Sequence, residues 1–315
     1  DVTGSMADEN SKHHNFPATN NYTLPVHAIV NDGADSDPTL ARSMLAFNTC
    51  TNYGAQNFLS VPGTACSSEA TGKGSGMAGL LYSTALKYGV ADLRAGEAMQ
   101  LLMGTADDID VPESRVSEKP PYHWSQPGFD QRFGYGRVNA GAAVQAIKEG
   151  RIPPEVNITS PLWFENLYRD QITGPVPILG TIAAHRAASY DYQVEWAPGV
   201  QPLDDAFKPL GAKVENIAGS VVTGEGGTPI GMIDLSQIDA THEADPDSKM
   251  GENKDTFTVR VRAVAHYGGD IGDVKGELRR AYQVHEDKAL LPGFPYHIDA
   301  SGESSPKLVA LDGDG

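Results

Sequence analysis

The chain has 315 residues, of which 40% are apolar and 21% are charged, a composition typical of a globular protein with one or two domains. Its 24 basic and 41 acidic residues leave a formal charge of −17, which repels phosphate and anionic lipid and argues against nucleic-acid and membrane-surface binding. No apolar run reaches the ~20 residues that cross a bilayer. The opening Asp1-Val2-Thr3-Gly4 has no leader pattern and predicts an internal portion of a larger protein.

The first 150 residues favour helices. Over 70–87, small residues precede leucines at helical spacing, and because glycine and alanine allow close packing, this segment predicts a buried central helix. A second helix is predicted over 94–103, with Asp92 as its N-cap. A third is predicted to begin after an N-cap at Asn139 and to stop at Gly150, where glycine suits a helix end.

The pattern changes after Pro153 and Pro154, which cannot donate the backbone hydrogen bonds of a helix. Beyond them, apolar and polar residues alternate with a period of two, which predicts β-strands. The two clearest runs place on one face Tyr190, Tyr192, Val194 and Trp196 in the first, and Phe257, Val259, Val261, Ala263 and Ala265 in the second. We therefore predict an antiparallel, all-β sandwich of the Ig-like kind over 151–290, separate from a domain over 1–150.

Acidic residues gather over 234–255, between these two runs. The simplest interpretation is a solvated loop, and the alternative is a structural calcium site, although the spacing does not match an EF-hand. The tail, 291–315, resembles the start of an FG-GAP-type repeat, whose D-x-D-G loops bind calcium, with Asp312 and Asp314 in that pattern. The sequence assigns no definite metal ligand and no cofactor required for chemistry.

Four blocks within 1–150 follow the order of blocks in subtilisin-like serine peptidases, the subtilases. The segment 66–76 matches the serine block G-T-S-x-A-x-P-x-x-[AS]-G at Ser68, Ala70, Ser75 and Gly76. Upstream of it, the segment 51–64 looks like the family's F-S-N-[YF]-G … A-P-G pair. Downstream, the segment 98–108 is similar to the family's helix that leads into an S-T-A strand. The segment 134–140 is similar to the family's closing block, G-x-G-x-[VI]-[ND]-A. The resemblance implies a serine-type endopeptidase with peptide substrates. For 1–150 it implies the C-terminal portion of a subtilisin-like α/β domain with a partial parallel sheet.

The resemblance makes Ser68 the nucleophile and its backbone N–H one donor to the oxyanion, whereas from this segment alone a serine is most simply an N-cap. The family's second donor is the Asn of an A-A-G-N block, and the register against 16–18 and 26–30 places Asp8 there. An ionised Asp cannot donate a hydrogen bond, so Asp8 would have to be protonated. Asn10, two residues away in register, is the alternative donor.

Three departures from the family's pattern leave a second hypothesis open. Cys66 and Ser67 replace G-T, and Gly72 replaces the proline. The catalytic D-[ST]-G and H-G-T blocks do not occur, so the base would come from the N-terminal half of the protease domain, acting as a partner. The alternative is a catalytically degenerate scaffold that serves as an extracellular binding or adhesion module. Acidic charge and loops rich in Asn, Gly and Pro suit a secreted or cell-surface protein under either hypothesis.

Cys50 and Cys66 are the two cysteines, and the residues alone leave open both a pair of free thiols and a disulfide. A subtilase-like layout places one just before a strand and the other just before the serine, so we expect the sulfurs to lie close enough to bridge. Closing so short a loop would stabilise the fold by about 3 kcal/mol. A digest made without reduction should yield a peptide that joins both cysteines in mass spectrometry; two thiols that alkylate without reduction would contradict the bridge.

Overall fold

The structure, a computed structural model, describes residues 18–30, 46–47, 51–64, 66–90, 92–111, 125–163, 165–238, 256–286, 288–289 and 291. These ranges contain three α-helices: α1, Cys66–Lys87; α2, Ala95–Gly104; and α3, Ala140–Lys148. The predicted cap of α3 is confirmed, because Oδ1 of Asn139 accepts from the Ala142 N–H at 2.9 Å. Within the same ranges, no helix is long and apolar enough to span a membrane.

The N-cap of α2 is Arg94, so the prediction of Asp92 is wrong. Glu97, at the third helical position, reaches back and accepts from the Arg94 N–H at 2.9 Å, as in a capping box. The carboxylate of Asp92 instead accepts from Nη1 of Arg186 at 3.1 Å. Asp92 therefore pairs with Arg186 from the second half of the chain and does not cap α2.

The first half contains a three-stranded sheet made of β1, Val26–Val30; β2, Ala46–Phe47; and β3, Leu59–Pro62. β1 is central, parallel to β3 and antiparallel to β2. The segment 134–138 runs along the free side of β3: the Ser60 N–H donates to the Gly136 carbonyl at 2.9 Å, and the Val138 N–H donates to the Ser60 carbonyl at 2.9 Å. The closing glycine block of the sequence is thus tied to the strand that leads into α1.

The second half is built from ten strands among the described residues, arranged in two sheets. β6 pairs antiparallel with β4, β10 and β11, and the larger sheet has the order β5-β13-β12-β7-β8, with β9 also beside β7. The facing sides of the two sheets share one apolar core. The strands are β4, Glu155–Ser160; β5, Asn166–Tyr168; β6, Val176–Ala183; β7, Ser189–Pro198; β8, Lys208–Pro209; β9, Val214–Ala218; β10, Val222–Thr223; β11, Gly231–Ile233; β12, Thr256–His266; and β13, Asp273–His285.

The fold class predicted from the sequence is wrong. The regular structure of the described residues is mostly β-strand, and the sheet of the first half has one parallel pair, β1 with β3, next to an antiparallel one. A parallel α/β sheet grows by β–α–β crossovers, but the three helices follow β3 without a described strand between them, and the next strand, β4, joins a different sheet. In the second half, the parallel pairing of β5 with β13 departs from the all-antiparallel, Ig-like sandwich expected there.

α1 is not the buried central helix that the small residues predicted. Its buried stripe consists of Ala70, Leu81, Thr84 and Ala85. The opposite face is open, since a Cβ built on its glycines would meet no atom within 4 Å outside the local helix at Gly72, Gly76 and Gly79. Small side chains remove the steric barrier to close packing but bring little apolar area, so they do not bury a helix by themselves.

The two halves of the chain meet along α2 and β13. Gln100 on α2 binds the backbone of Glu277 twice, with Nε2 donating to the carbonyl at 3.0 Å and Oε1 accepting from the N–H at 2.9 Å. Arg186 donates to both carboxylate oxygens of Glu97, at 2.8 and 2.9 Å. Three buried apolar side chains of the first half join the core of the second-half sheets: Phe58, Met103 and Phe129. The halves therefore share a polar seam and an apolar core.

The polar face of β12 and β13 carries buried arginines whose charges are matched by carboxylates. Arg279 is 3% exposed, and its Nε donates to Glu277 at 2.6 Å, its Nη1 to the Pro202 carbonyl at 3.3 Å and its Nη2 to Asp204. Arg260 is 1% exposed and binds Asp204 at 2.8 Å. Burying a guanidinium is tolerable only when it is paired and hydrogen-bonded, and each of the three nitrogens of Arg279 has a partner here.

We expect Arg279→Met to lower the free energy of unfolding by about 3–5 kcal/mol, because it leaves the largely buried carboxylate of Glu277 without its main partner. The matched control is Arg262→Met. Arg262 binds the same two carboxylates, but its side chain is 40% exposed, so its loss should cost less than about 1 kcal/mol. Urea unfolding measures both variants, and equal losses would show that burial of the pair does not matter.

Candidate functional site

Ser68 lies in the first turn of α1, and its side chain is exposed. The chain reaches it from β3 through Gly63 and Thr64. Oε2 of Glu69 accepts from the Thr64 N–H at 2.7 Å and from the Thr64 hydroxyl at 3.1 Å, which holds the turn before the helix. The first N–H groups of a helix have no partner within the helix, and the helix dipole is positive there, so this end favours negative charge beside Ser68.

A cavity of about 120 Å³ lies at this end of the helix, and its lining includes Ser67 and Thr71 but not Ser68. Gln56 also lines it and is 3% exposed. Its Nε2 donates to the Tyr53 carbonyl at 3.3 Å, while its Oε1 has no hydrogen-bond partner among the described residues. The hypothesis expects the Ser68 hydroxyl in a cleft; the structure places Ser68 on the surface and its neighbour Ser67 at the cavity.

His27 is buried on β1 and forms a pair with Ser60, its register partner on β3. Nε2 of His27 lies 2.8 Å from Oγ of Ser60, and that hydroxyl donates to the Phe133 carbonyl at 2.9 Å. Because the Ser60 hydroxyl proton points to the Phe133 carbonyl, Oγ of Ser60 accepts the hydrogen bond from His27, and Nε2 of His27 is the protonated nitrogen. Burial, together with the positive charge of Arg132, lowers the pKa of His27 to about 3, which keeps the ring neutral. His27 is 1% and Ser60 0% exposed, so the pair is closed to solvent in this structure.

The turn just before the closing block 134–140 is stabilised by the buried side chain of Asp130. Asp130 is 0% exposed, and its Oδ1 accepts from the N–H groups of Arg132 at 2.7 Å and Phe133 at 2.8 Å. Gly134 has φ +65°, and a Cβ there would stand 2.4 Å from the Phe58 carbonyl, so the position requires glycine. Burial raises the pKa of Asp130 well above its ordinary value, although the two N–H donors oppose the rise.

Several residues that the sequence predictions name lie outside the described residues: Asp8, Asn10, Cys50, Asp312 and Asp314. The choice between Asp8 and Asn10 as oxyanion donor and the disulfide therefore stay predictions. So does a calcium site in the acidic segment 234–255, of which 234–238 is described. Among the described residues, no three His, Cys, Asp or Glu side chains are placed together to hold a metal ion.

Sequence reasoning missed the buried Asp130 and the buried His27–Ser60 pair. A signal existed for Asp130, because an Asp whose side chain accepts from N–H groups two and three residues later is a common way to hold a turn. The pairing of His27 with Ser60 has no local signal, since it depends on strand register. No protein-family model matches the chain, and no curated protein matches it either. The resemblance of the four blocks therefore rests on the residues themselves.

We expect Asp130→Asn to change how stability depends on pH. Because the folded pKa of Asp130 is raised above the unfolded value of about 3.9, the folded state binds the proton more tightly, and the wild type loses stability as pH rises above about 4. The Asn variant keeps an oxygen for both N–H donors and buries no charge. Its free energy of unfolding relative to wild type should therefore increase with pH.

The free energies of unfolding of the wild type and Asp130→Asn are measured by urea unfolding at several pH values between about 4 and about 8. Asp130→Ala is the control: it removes both hydrogen bonds of the turn and should be less stable than the Asn variant at every pH. Parallel pH profiles for the wild type and Asp130→Asn would rule out a buried carboxyl with a raised pKa.

Proposed function

We propose that this chain carries the nucleophile of a serine-type endopeptidase and that this nucleophile is Ser68. The observation that carries the proposal is the exposed Ser68 in the first turn of a 22-residue helix, at the serine position of the block that resembles the subtilase serine block. The first-turn N–H groups and the helix dipole support the chemistry, because they stabilise negative charge next to this hydroxyl.

In the proposed reaction, a base removes the proton from Oγ of Ser68 while that oxygen attacks the carbonyl carbon of a peptide bond. The tetrahedral intermediate places its negative oxygen against the backbone N–H of Ser68 and a second donor, protonated Asp8 or, in the alternative register, Asn10. Collapse of the intermediate breaks the C–N bond, and the leaving amine takes the proton from the base. Water then hydrolyses the acyl ester on Ser68 by the same steps.

We assign the base to a partner, the N-terminal half of a protease domain that supplies the catalytic Asp and His. Among the described residues, no histidine is hydrogen-bonded to Ser68, and the lowered pKa of His27 makes it a weak base. The open face of α1 offers a surface for that half, because Gly72, Gly76 and Gly79 leave room for another backbone to approach closely.

A catalytically degenerate scaffold that binds partners is the second candidate function. Two observations favour it: Ser67, and not Ser68, lines the cavity at the end of α1, and Cys66 and Ser67 replace the G-T of the serine block. Under both functions we propose a secreted or cell-surface location, no cofactor in the chemistry and a structural role for any bound calcium.

A serine-directed fluorophosphonate separates the two functions. Protein that includes the upstream half should be labelled, and Ser68→Ala should abolish labelling, because phosphonylation needs the activated hydroxyl. Ser67→Ala, which removes the neighbouring serine of the same turn, is the matched control and should be labelled like the wild type. The 315-residue chain by itself should stay unlabelled, because the base is assigned to the partner half.

Undiminished labelling of Ser68→Ala would place the nucleophile elsewhere. Absence of labelling in protein that contains an intact upstream Asp and His would favour the binding scaffold instead.

A further inference from the structure

A second cavity, of about 300 Å³, lies where α1, α2 and the sheet of β4 and β6 meet. Its volume equals that of roughly ten water molecules and lies at the lower end of the range for ligand pockets. A cavity with apolar walls holds water poorly, because water needs several polar partners. The apolar part of its wall includes Leu24, Ala78, Ala98, Met99, Leu102 and Val156.

Asn157 supplies a hydrogen-bond donor to this wall. It is 8% exposed, and its Nδ2 has no hydrogen-bond partner among the described residues. It sits on β4 directly opposite Thr181 of β6, which also lines the cavity. A buried donor without a partner costs about 1–3 kcal/mol, and an acceptor on a bound molecule would remove that cost.

Glu155 supplies an acceptor to the same wall. It lies two residues before Asn157 on the strand, so both side chains are on one face, about 7 Å apart along the strand. Its Oε1 stands 3.9 Å from Nε of Arg94 and 3.8 Å from Nε2 of His185, close enough for ion pairing but beyond hydrogen-bond distance. Its other oxygen, Oε2, lies against Gly96 of α2, whose backbone N–H donates to this carboxylate. Burial, with the nearby charge of Glu97, raises the pKa of Glu155. A donor from a ligand would offset the cost of keeping this carboxylate there.

We propose that this cavity binds a small amphipathic secondary amide, with an aromatic or branched-alkyl group against the apolar wall, its carbonyl accepting from Nδ2 of Asn157 and its N–H donating to Glu155. A secondary amide fits because its carbonyl and N–H point in opposite directions, towards two groups spaced along one strand. Tyr22 and Tyr82 line the same cavity and are 73% and 38% exposed, so they offer aromatic faces where it opens to solvent. The site does not involve Ser68.

N-benzylacetamide is a suitable probe, since it combines a benzyl ring with one secondary amide. Titration into the 315-residue chain, followed by NMR, should shift the side-chain NH₂ signals of Asn157. Asn157→Leu keeps the size of the side chain and removes the donor, so the dissociation constant should rise about tenfold. Ala78→Phe places a ring into the cavity and should abolish binding. Ser83→Phe adds the same ring to an exposed position of α1 that does not line the cavity, and should bind the probe like the wild type.

The ¹⁵N–¹H spectra of all three variants show whether each has folded, and Asn157→Leu tests the site even where Ala78→Phe does not fold. Binding of equal strength by the wild type, Asn157→Leu and Ala78→Phe would overturn the proposal. No binding by the wild type up to the solubility limit of the probe would overturn it as well.

Discussion

A buried guanidinium, that of Arg279, constrains how the two halves of the chain sit against each other. The aromatic rings of Phe129 and Tyr135, from the first half, lie 5.3 and 6.0 Å from it. Its partner Glu277 also accepts from the Tyr135 hydroxyl at 3.3 Å and bonds through its backbone to Gln100 of α2. A shift of α2 or of the 129–135 segment relative to β13 would leave the buried charge of Arg279 or a polar group around it without its partner. The junction is therefore specified by polar groups as well as by apolar packing.

Helix α1 takes no part in this junction, and one of its faces is exposed. α1 packs on the rest of the first half through a single buried stripe, and Ser68 and the open glycine face lie on this same helix. A site held on a helix keeps its geometry before a partner arrives, so the partner need not order it on binding. That property supports a nucleophile completed from outside, and it would serve a binding scaffold equally well.

Features that act locally could be predicted from the sequence. The alternation that located β7 and β12 reflects strands that place their apolar side chains on one face, as at Tyr190, and Asn139 was recognisable because it caps its own helix. Features that depend on residues distant in the sequence could not be predicted. Asp92 binds Arg186 instead of capping α2, and β5 pairs with β13, far along the chain. The motif located Ser68 in a first turn, but whether that turn opens into a cavity depends on loops that carry no periodic signal.

The buried amide of Asn157 bears on how this chain can be modified. Asn157-Ile158-Thr159 is an acceptor sequence for N-linked glycan, and the atom that would receive the sugar is the Nδ2 enclosed between β4 and α2. Once α2 is docked, a glycosyl-transferring enzyme has no access to that nitrogen. A sugar attached earlier would be too bulky for a cavity of about 300 Å³ and would hold α2 away from the sheet. In a cell that glycosylates such sequences, sugar transfer and folding thus compete for one nitrogen atom, and only one of them can use it.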